Sequence, residues 1–192
     1  MVSTKLLRMS EVPRRMCLLV LVAALLFTPC AMAGTDEGYQ AQTHLLPNRE
    51  YGEALLQGIR DAKKRVICTF YLFKITGTAG NQPRRIAEEL IRAKRRGADV
   101  TVILERDNGR KGDGLTAENR RTAAFLVRGG VRVFFDSPSV VTHAKAAVID
   151  GRYVYLGSHN LTQAALRHNN ELSVLIDSPE LAEEVTAYLE RL

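Results

Sequence analysis

The chain has 192 residues, 46% hydrophobic and 25% charged, with a formal net charge of +6. That length supports one domain with a sizeable core and is short for two, and the composition is ordinary for a soluble globular protein. The positive balance admits a polyanionic partner without requiring one.

Residues 1–33 read as an export signal. Lys5, Arg8, Arg14 and Arg15 precede an apolar run from Met16 to Phe27, and Ala31-Met32-Ala33 supplies the small residues that signal peptidase reads. The run is too short to span a bilayer comfortably as a helix. Cleavage after Ala33 and a periplasmic location are expected, with an uncleaved inner-membrane anchor as the alternative. Cleavage removes four basic residues and Glu11, so the 27 Lys and Arg and 21 Asp and Glu become 23 and 20, a net of +3. Cys17 and Cys30 leave with the signal. Cys68 then stands alone in an apolar run, the setting of a buried core thiol, and no intrachain disulfide can form.

Residues 34–38 read as a short linker, and 39–192 as a single domain. Within it, strand-like and helix-like patterns alternate. Tyr39–Leu46 is a candidate strand, and Arg49–Lys64 has helical spacing with Leu55, Leu56 and Ile59 on one side. Val66–Phe73 is continuously apolar, as in a strand covered on both faces. A helix over Pro83–Arg96 stops at Gly97, followed by a strand at Asp99–Glu105. Arg106–Gly114 is a glycine-rich basic loop, whose Arg110-Lys111 pair is placed either to grip a polyanion or simply to face solvent. Then come a helix over Thr116–Arg128, a strand at Val131–Asp136, and two strand-like runs, Val140–Ile149 and Arg152–Leu156. Asp150-Gly151 between those runs is a strong hairpin signal. A short helix at Leu161–Arg167, a strand at Glu171–Asp177 and a helix at Pro179–Leu192 close the chain. The fold class expected is α/β, a mixed β-sheet flanked by helices on both faces.

The chemistry concentrates in Thr142–Asp150 and Gly157–Asn160. Residues two apart on a strand share a face, so His143 and Lys145 project together. With a two-residue loop, Ile149 pairs with Arg152, which sets Lys145 opposite Leu156 and His143 opposite Ser158. Asn160 stands where a helix N-cap would, and a helix start favours anions. An imidazole, an ammonium, a hydroxyl and free backbone N–H groups in one place suit a phosphate with a nucleophile beside it. There is no HExxH, no paired cysteine and no acidic cluster, so no metal or other cofactor is implied. His159 points away from the Ser158 direction and reads as peripheral; His44 and His168 read as surface or capping residues.

His143-x-Lys145-x4-Asp150-x6-Gly157-Ser158-x-Asn160 resembles the HKD motif of the phospholipase D superfamily, intact at every position. Length, export signal and a single motif copy look most like its small bacterial endonucleases; the mitochondrial cardiolipin hydrolase and Zucchini-type enzymes are further single-motif relatives. The resemblance implies a phospholipase D-like α-β-α sandwich with His143 as nucleophile. It implies that Lys145, Ser158 and Asn160 hold the phosphate and that Glu171 orients the histidine. Asp150 belongs to the motif with Gly157, and its place in the turn gives it a structural role.

One motif supplies one histidine, whereas displacing an alkoxide also needs an acid on the far side of phosphorus. A homodimer with a shared site is therefore expected, the second His143 coming from a twofold-related copy. The expected activity is metal-independent cleavage of DNA or RNA through a phosphohistidine. The alternatives are a phospholipase D acting on phospholipid or cardiolipin head groups, for which an uncleaved N-terminus would hold the protein at the membrane, and an inactive nucleic-acid-binding protein.

Overall fold

The computed structural model describes residues 38–106 and 114–192. The expected signal, nearly all of the linker and the Arg110-Lys111 pair lie outside them. The strands and helices follow in the order β1 (Gln42–Pro47), α1 (Arg49–Asp61), β2 (Arg65–Phe70), α2 (Gln82–Arg95), β3 (Asp99–Leu104), α3 (Leu115–Arg128), β4 (Arg132–Phe135), β5 (Lys145–Ile149), β6 (Tyr153–Gly157), α4 (Gln163–Arg167), β7 (Leu172–Asp177) and α5 (Pro179–Leu189). The seven strands form one mixed sheet in the order β1-β7-β6-β5-β2-β3-β4. β2, β3 and β4 run parallel, whereas β5, β6, β7 and β1 are joined by antiparallel pairings.

Local chemistry explains the helix starts. The Asn81 side chain accepts the Arg84 N–H with Pro83 at the first turn, and Thr162 and Ser178 cap α4 and α5 in the same way. Leu55, Leu56, Ile59, Ile86, Leu90 and Leu126 bury the inner faces of α1, α2 and α3 against Val66, Cys68, Val100 and Val102 of the sheet. α5 covers the opposite face, where Ala182 and Leu189 meet Ile67, Val148 and Val154. Each such fully buried aliphatic side chain contributes about 2 kcal/mol, so the two layers are held by burial rather than by surface charge. Helices do lie on both faces of the sheet, but unequally: four on one side and one on the other among the described residues.

Three local expectations change. The strand expected from Val140 begins only at Lys145, because its neighbour β2 diverges after Phe70. The backbone of Tyr71–Phe73 instead bonds to the side chains of Asn119 and Asn160, and Thr142 N–H turns to the Glu105 carboxylate. The hairpin register is one residue from the expected one. Arg152 N–H closes the turn onto the Ile149 carbonyl, but the ladder pairs Ile149 with Tyr153 and Ala146 with Leu156. Asp150, Gly151 and Arg152 thus form a three-residue turn, one residue longer than expected, and Arg152 makes a two-point ion pair with Asp177. Ser158 is therefore not set across from His143. Finally, the N-cap of α4 is Thr162, not Asn160.

Candidate phosphodiester site

The strand ends collect the motif at one edge of the sheet. Phe70 at the end of β2 pairs with Lys145 at the start of β5, and Gly157 at the end of β6 pairs with Ser173 near the start of β7. The chain just beyond these ends carries Tyr71, His143, Ser158, Asn160 and Glu171. This is the edge at which open α/β sheets place their ligands.

His143 is exposed, while Lys145 is 7% exposed. The Lys145 ammonium lies 2.9 Å from His143 Nδ1 and 3.2 Å from Nε2, and donates to the His143 carbonyl at 2.5 Å. Tyr71 backs both groups, its ring 4.6 Å from the imidazole and 5.2 Å from the ammonium. Burial and the neighbouring ammonium hold the His143 imidazole below its ordinary pKa, which favours the neutral, nucleophilic form. Burial likewise lowers the Lys145 pKa, and the Glu171 carboxylate opposes that shift.

Ser158 and Glu171 form a second cluster. The Ser158 hydroxyl donates to Glu171 Oε2 and accepts Leu172 N–H at 3.1 Å, while Asn169 donates to Glu171 Oε1 at 3.1 Å. Glu171 thus grips Ser158 rather than His143 and acts on Lys145 through its charge. Asn160 uses Oδ1 to accept Leu72 N–H at 3.2 Å, which fixes the segment carrying Tyr71; its amide N–H groups have no partner among the described residues.

Asp150 and Gly157 have structural explanations. The Asp150 carboxylate accepts the backbone N–H groups of Lys63, Lys64 and Arg65 at 2.7–2.9 Å, and its own φ is 56°. Partial burial raises its pKa, but these bonds outweigh that effect and hold it below the usual carboxylate range. At Gly157 a Cβ would strike the backbone and hydroxyl of Ser173, so β6 and β7 approach closely only with glycine there.

His159 is fully buried, not peripheral. Its ring stacks on Tyr51 at 4.4 Å, Nε2 donates to the Asn48 carbonyl at 2.8 Å, and Nδ1 lies 2.7 Å from Ser173 Oγ. Asn48 in turn exchanges two hydrogen bonds with the Glu171 backbone, so this network fixes the strand end that carries Glu171. Sequence reasoning also passed over Tyr71, Glu105 and Asn119. Buried Asn119 bonds the backbones of Tyr71, Phe73 and Glu105, and buried Glu105 holds Thr142 N–H beside His143. Asn119 was detectable as a polar residue within the buried stripe Leu115, Asn119, Thr122, Ala123 and Leu126.

Among the described residues no three His, Cys, Asp or Glu side chains converge as a metal-binding group. The cationic group in contact with the imidazole belongs to the protein. Chemically, the edge offers a neutral imidazole for attack, an ammonium and an amide for phosphate oxygens, and a carboxylate–hydroxyl pair beside them.

Comparison with known proteins agrees with this architecture. The family model described as cardiolipin synthase, PLD-like domain, matches residues 55–192. A phospholipase D of Rickettsia conorii is 34% identical over 98 residues, covering 51% of this chain and 46% of that protein. The chain therefore spans just under half the length of that curated relative. Among solved structures, the phospholipase D family member Nuc from Salmonella typhimurium superposes with a TM-score of 0.65 at 24% identity, over 79% of this chain and 93% of its own. NucT from Helicobacter pylori gives 0.63 at 21% identity, over 79% and 95%. These two likenesses establish the fold, and with the family match they show that the chain belongs to the phospholipase D superfamily.

Proposed function

We propose that this protein is an exported, metal-independent endonuclease that hydrolyses phosphodiester bonds of DNA or RNA. The observation that carries the reading is the pairing of His143 with Lys145, an imidazole 2.9 Å from an ammonium at an open sheet edge. An imidazole nitrogen of His143 attacks phosphorus, and the N–P bond forms as the P–O bond to the leaving group breaks. The leaving oxygen takes its proton from the imidazolium of the partner's His143. That imidazole, now neutral, removes a proton from water, whose oxygen attacks phosphorus and releases His143. Lys145 and the Asn160 amide bind the non-bridging oxygens, and Ser158 with Glu171 keeps that side of the site in place.

A homodimer supplies the second histidine. Val140 and Val141, 73% and 63% exposed, precede His143, and exposed Leu172 follows Glu171. An apolar rim beside an incomplete site suits a second copy across a twofold axis. The likeness to Nuc and NucT, matched over 93% and 95% of those chains, favours a nucleotide substrate. The likeness to proteins called phospholipase D favours a second reading, hydrolysis of a phospholipid head group at the same residues.

The deciding experiment offers single-stranded DNA, duplex DNA, RNA and phosphatidylcholine in parallel, with excess chelator throughout. Cleavage of nucleic acid that survives chelation supports the proposal. Release of choline alone establishes the second reading, and loss of all activity on chelation overturns the metal-independent mechanism.

A further inference from the structure

The outer surface of α2 and α3 carries an unusual charge imbalance. The two helices hold Arg84, Arg85, Arg92, Lys94, Arg95, Arg120, Arg121 and Arg128 against only Glu88, Glu89 and Glu118. All three carboxylates are committed: Glu88 to Arg84 and Arg92, Glu89 to Arg92, Arg96 and Arg60, and Glu118 to Lys74 and Arg121. Arg95 and Arg128 have no carboxylate within 4.0 Å among the described residues and are exposed.

Packing brings these cations together. A Cβ at Gly129 would run into the Ile91 side chain, so glycine lets the end of α3 close onto α2 and sets Arg128 beside Arg92 and Arg95. Arg92, Arg95 and Arg128 line a hollow of about 300 Å³ with Glu88, Ile91 and Phe125, the Glu88 carboxylate being taken up by Arg84 and Arg92. A second hollow of about 380 Å³ is lined by Arg84, Arg121, Phe125 and Arg128 and by the Ile75–Gly77 loop. Phe125 and Arg128 border both, so the hollows lie side by side, and the second reaches the Ile75–Gly77 segment that follows β2. α2 is 14 residues long, or about 20 Å at 1.5 Å per residue. Guanidinium groups crowded over that length repel one another, and a line of phosphates relieves the repulsion with bidentate hydrogen bonds.

We infer that the α2–α3 face is a second nucleic-acid contact, an arginine track that holds the phosphate backbone outside the reacting edge and feeds it past the Ile75–Gly77 loop. This inference rests on the nuclease reading of the His143 site and adds a binding surface to it. A duplex or single strand bound there contributes affinity and processivity without touching the scissile phosphate.

The test is the double variant Arg95→Gln with Arg128→Gln. Binding to a DNA duplex of about 20 base pairs is measured against salt in the non-cleaving His143→Asn background. Two lost phosphate contacts lower the slope of log K against log salt by about 1.8. In the otherwise wild-type chain, KM for long DNA rises, while hydrolysis of bis(p-nitrophenyl) phosphate and the melting temperature stay unchanged. An unaltered salt slope and KM overturn the track. So does a double variant that loses binding to phosphatidylglycerol vesicles while keeping DNA binding, which makes the face a lipid contact. Wild-type protein that hydrolyses the small diester but neither binds nor cuts nucleic acid overturns the nuclease reading together with the track.

Discussion

The two ends of β5 belong to one motif and are built in opposite ways. At the turn, the Asp150 carboxylate is surrounded by three backbone donors from the chain entering β2. Five residues earlier, Lys145 meets no carboxylate within 4.0 Å among the described residues, and its near polar neighbours are the ring and carbonyl of His143. A carboxylate saturated by N–H groups has little left to offer a substrate; a buried ammonium beside an imidazole has a place for an anion. The difference gives the acid of the motif a structural setting and is what the proposed roles of His143 and Lys145 rest on.

Replacing His143, the proposed nucleophile, should have the largest effect. His143→Asn is expected to reduce turnover by at least about 10⁴-fold with an unchanged melting temperature. If two copies share one site, equal mixing of this variant with wild type under subunit exchange leaves roughly a quarter of the activity rather than half. Linear dilution would separate the histidine from the dimer. Lys145→Gln comes next, with an expected loss of about 10²–10³ in kcat from removal of a preorganised charge; a pure KM effect would reassign Lys145 to ground-state binding.

The turn end should respond in stability instead. Asp150→Ala leaves three backbone donors without their acceptor and puts alanine at positive φ, for a loss of about 2 kcal/mol in denaturant unfolding. The folded pKa of Asp150 is depressed, so its contribution is present above the unfolded value near about 3.9 and lost as pH falls through the folded one. The gap between wild type and Asp150→Ala should narrow below that pH. A gap that stayed constant would trace it to backbone strain. A similar loss, about 2 kcal/mol, is expected for His159→Phe, which keeps the stack on Tyr51 but strands the Asn48 carbonyl and Ser173 hydroxyl.

The smallest effect is a displacement of the pH profile. A shared site needs one neutral and one protonated His143, a combination most populated at the imidazole pKa. Burial and Lys145 lower that pKa, so the activity optimum should lie below about 6.5. An optimum well above neutrality would speak against paired histidines.

Much of this site was legible before folding because its spacing is local. The two-residue spacing brings His143 against Lys145 even though the strand begins only at Lys145, Asp150-Gly151 marks the hairpin, and the continuous apolar run around Cys68 marks a central strand. The register escaped by one residue because the turn takes three residues, Asp150 to Arg152, where Asp150-Gly151 alone suggests two. Asn160 was read as a cap on local grounds, yet its acceptor serves Leu72, 88 residues earlier. His159 was misread for the same reason: alternation says which way a side chain points from its own strand, but not what has been packed there.

The amino-acid sequence by itself determined the strand–helix alternation, the hairpin and the motif, since hydrophobic period, turn chemistry and residue spacing act over a few residues. Tertiary structure alone decided that Glu171 holds Ser158, that Asn48, His159 and Ser173 brace that strand end, and that Gly129 draws the arginines of α2 and α3 into one surface. Those contacts join segments tens of residues apart. Their partners are chosen by strand order and helix packing, which no local pattern encodes.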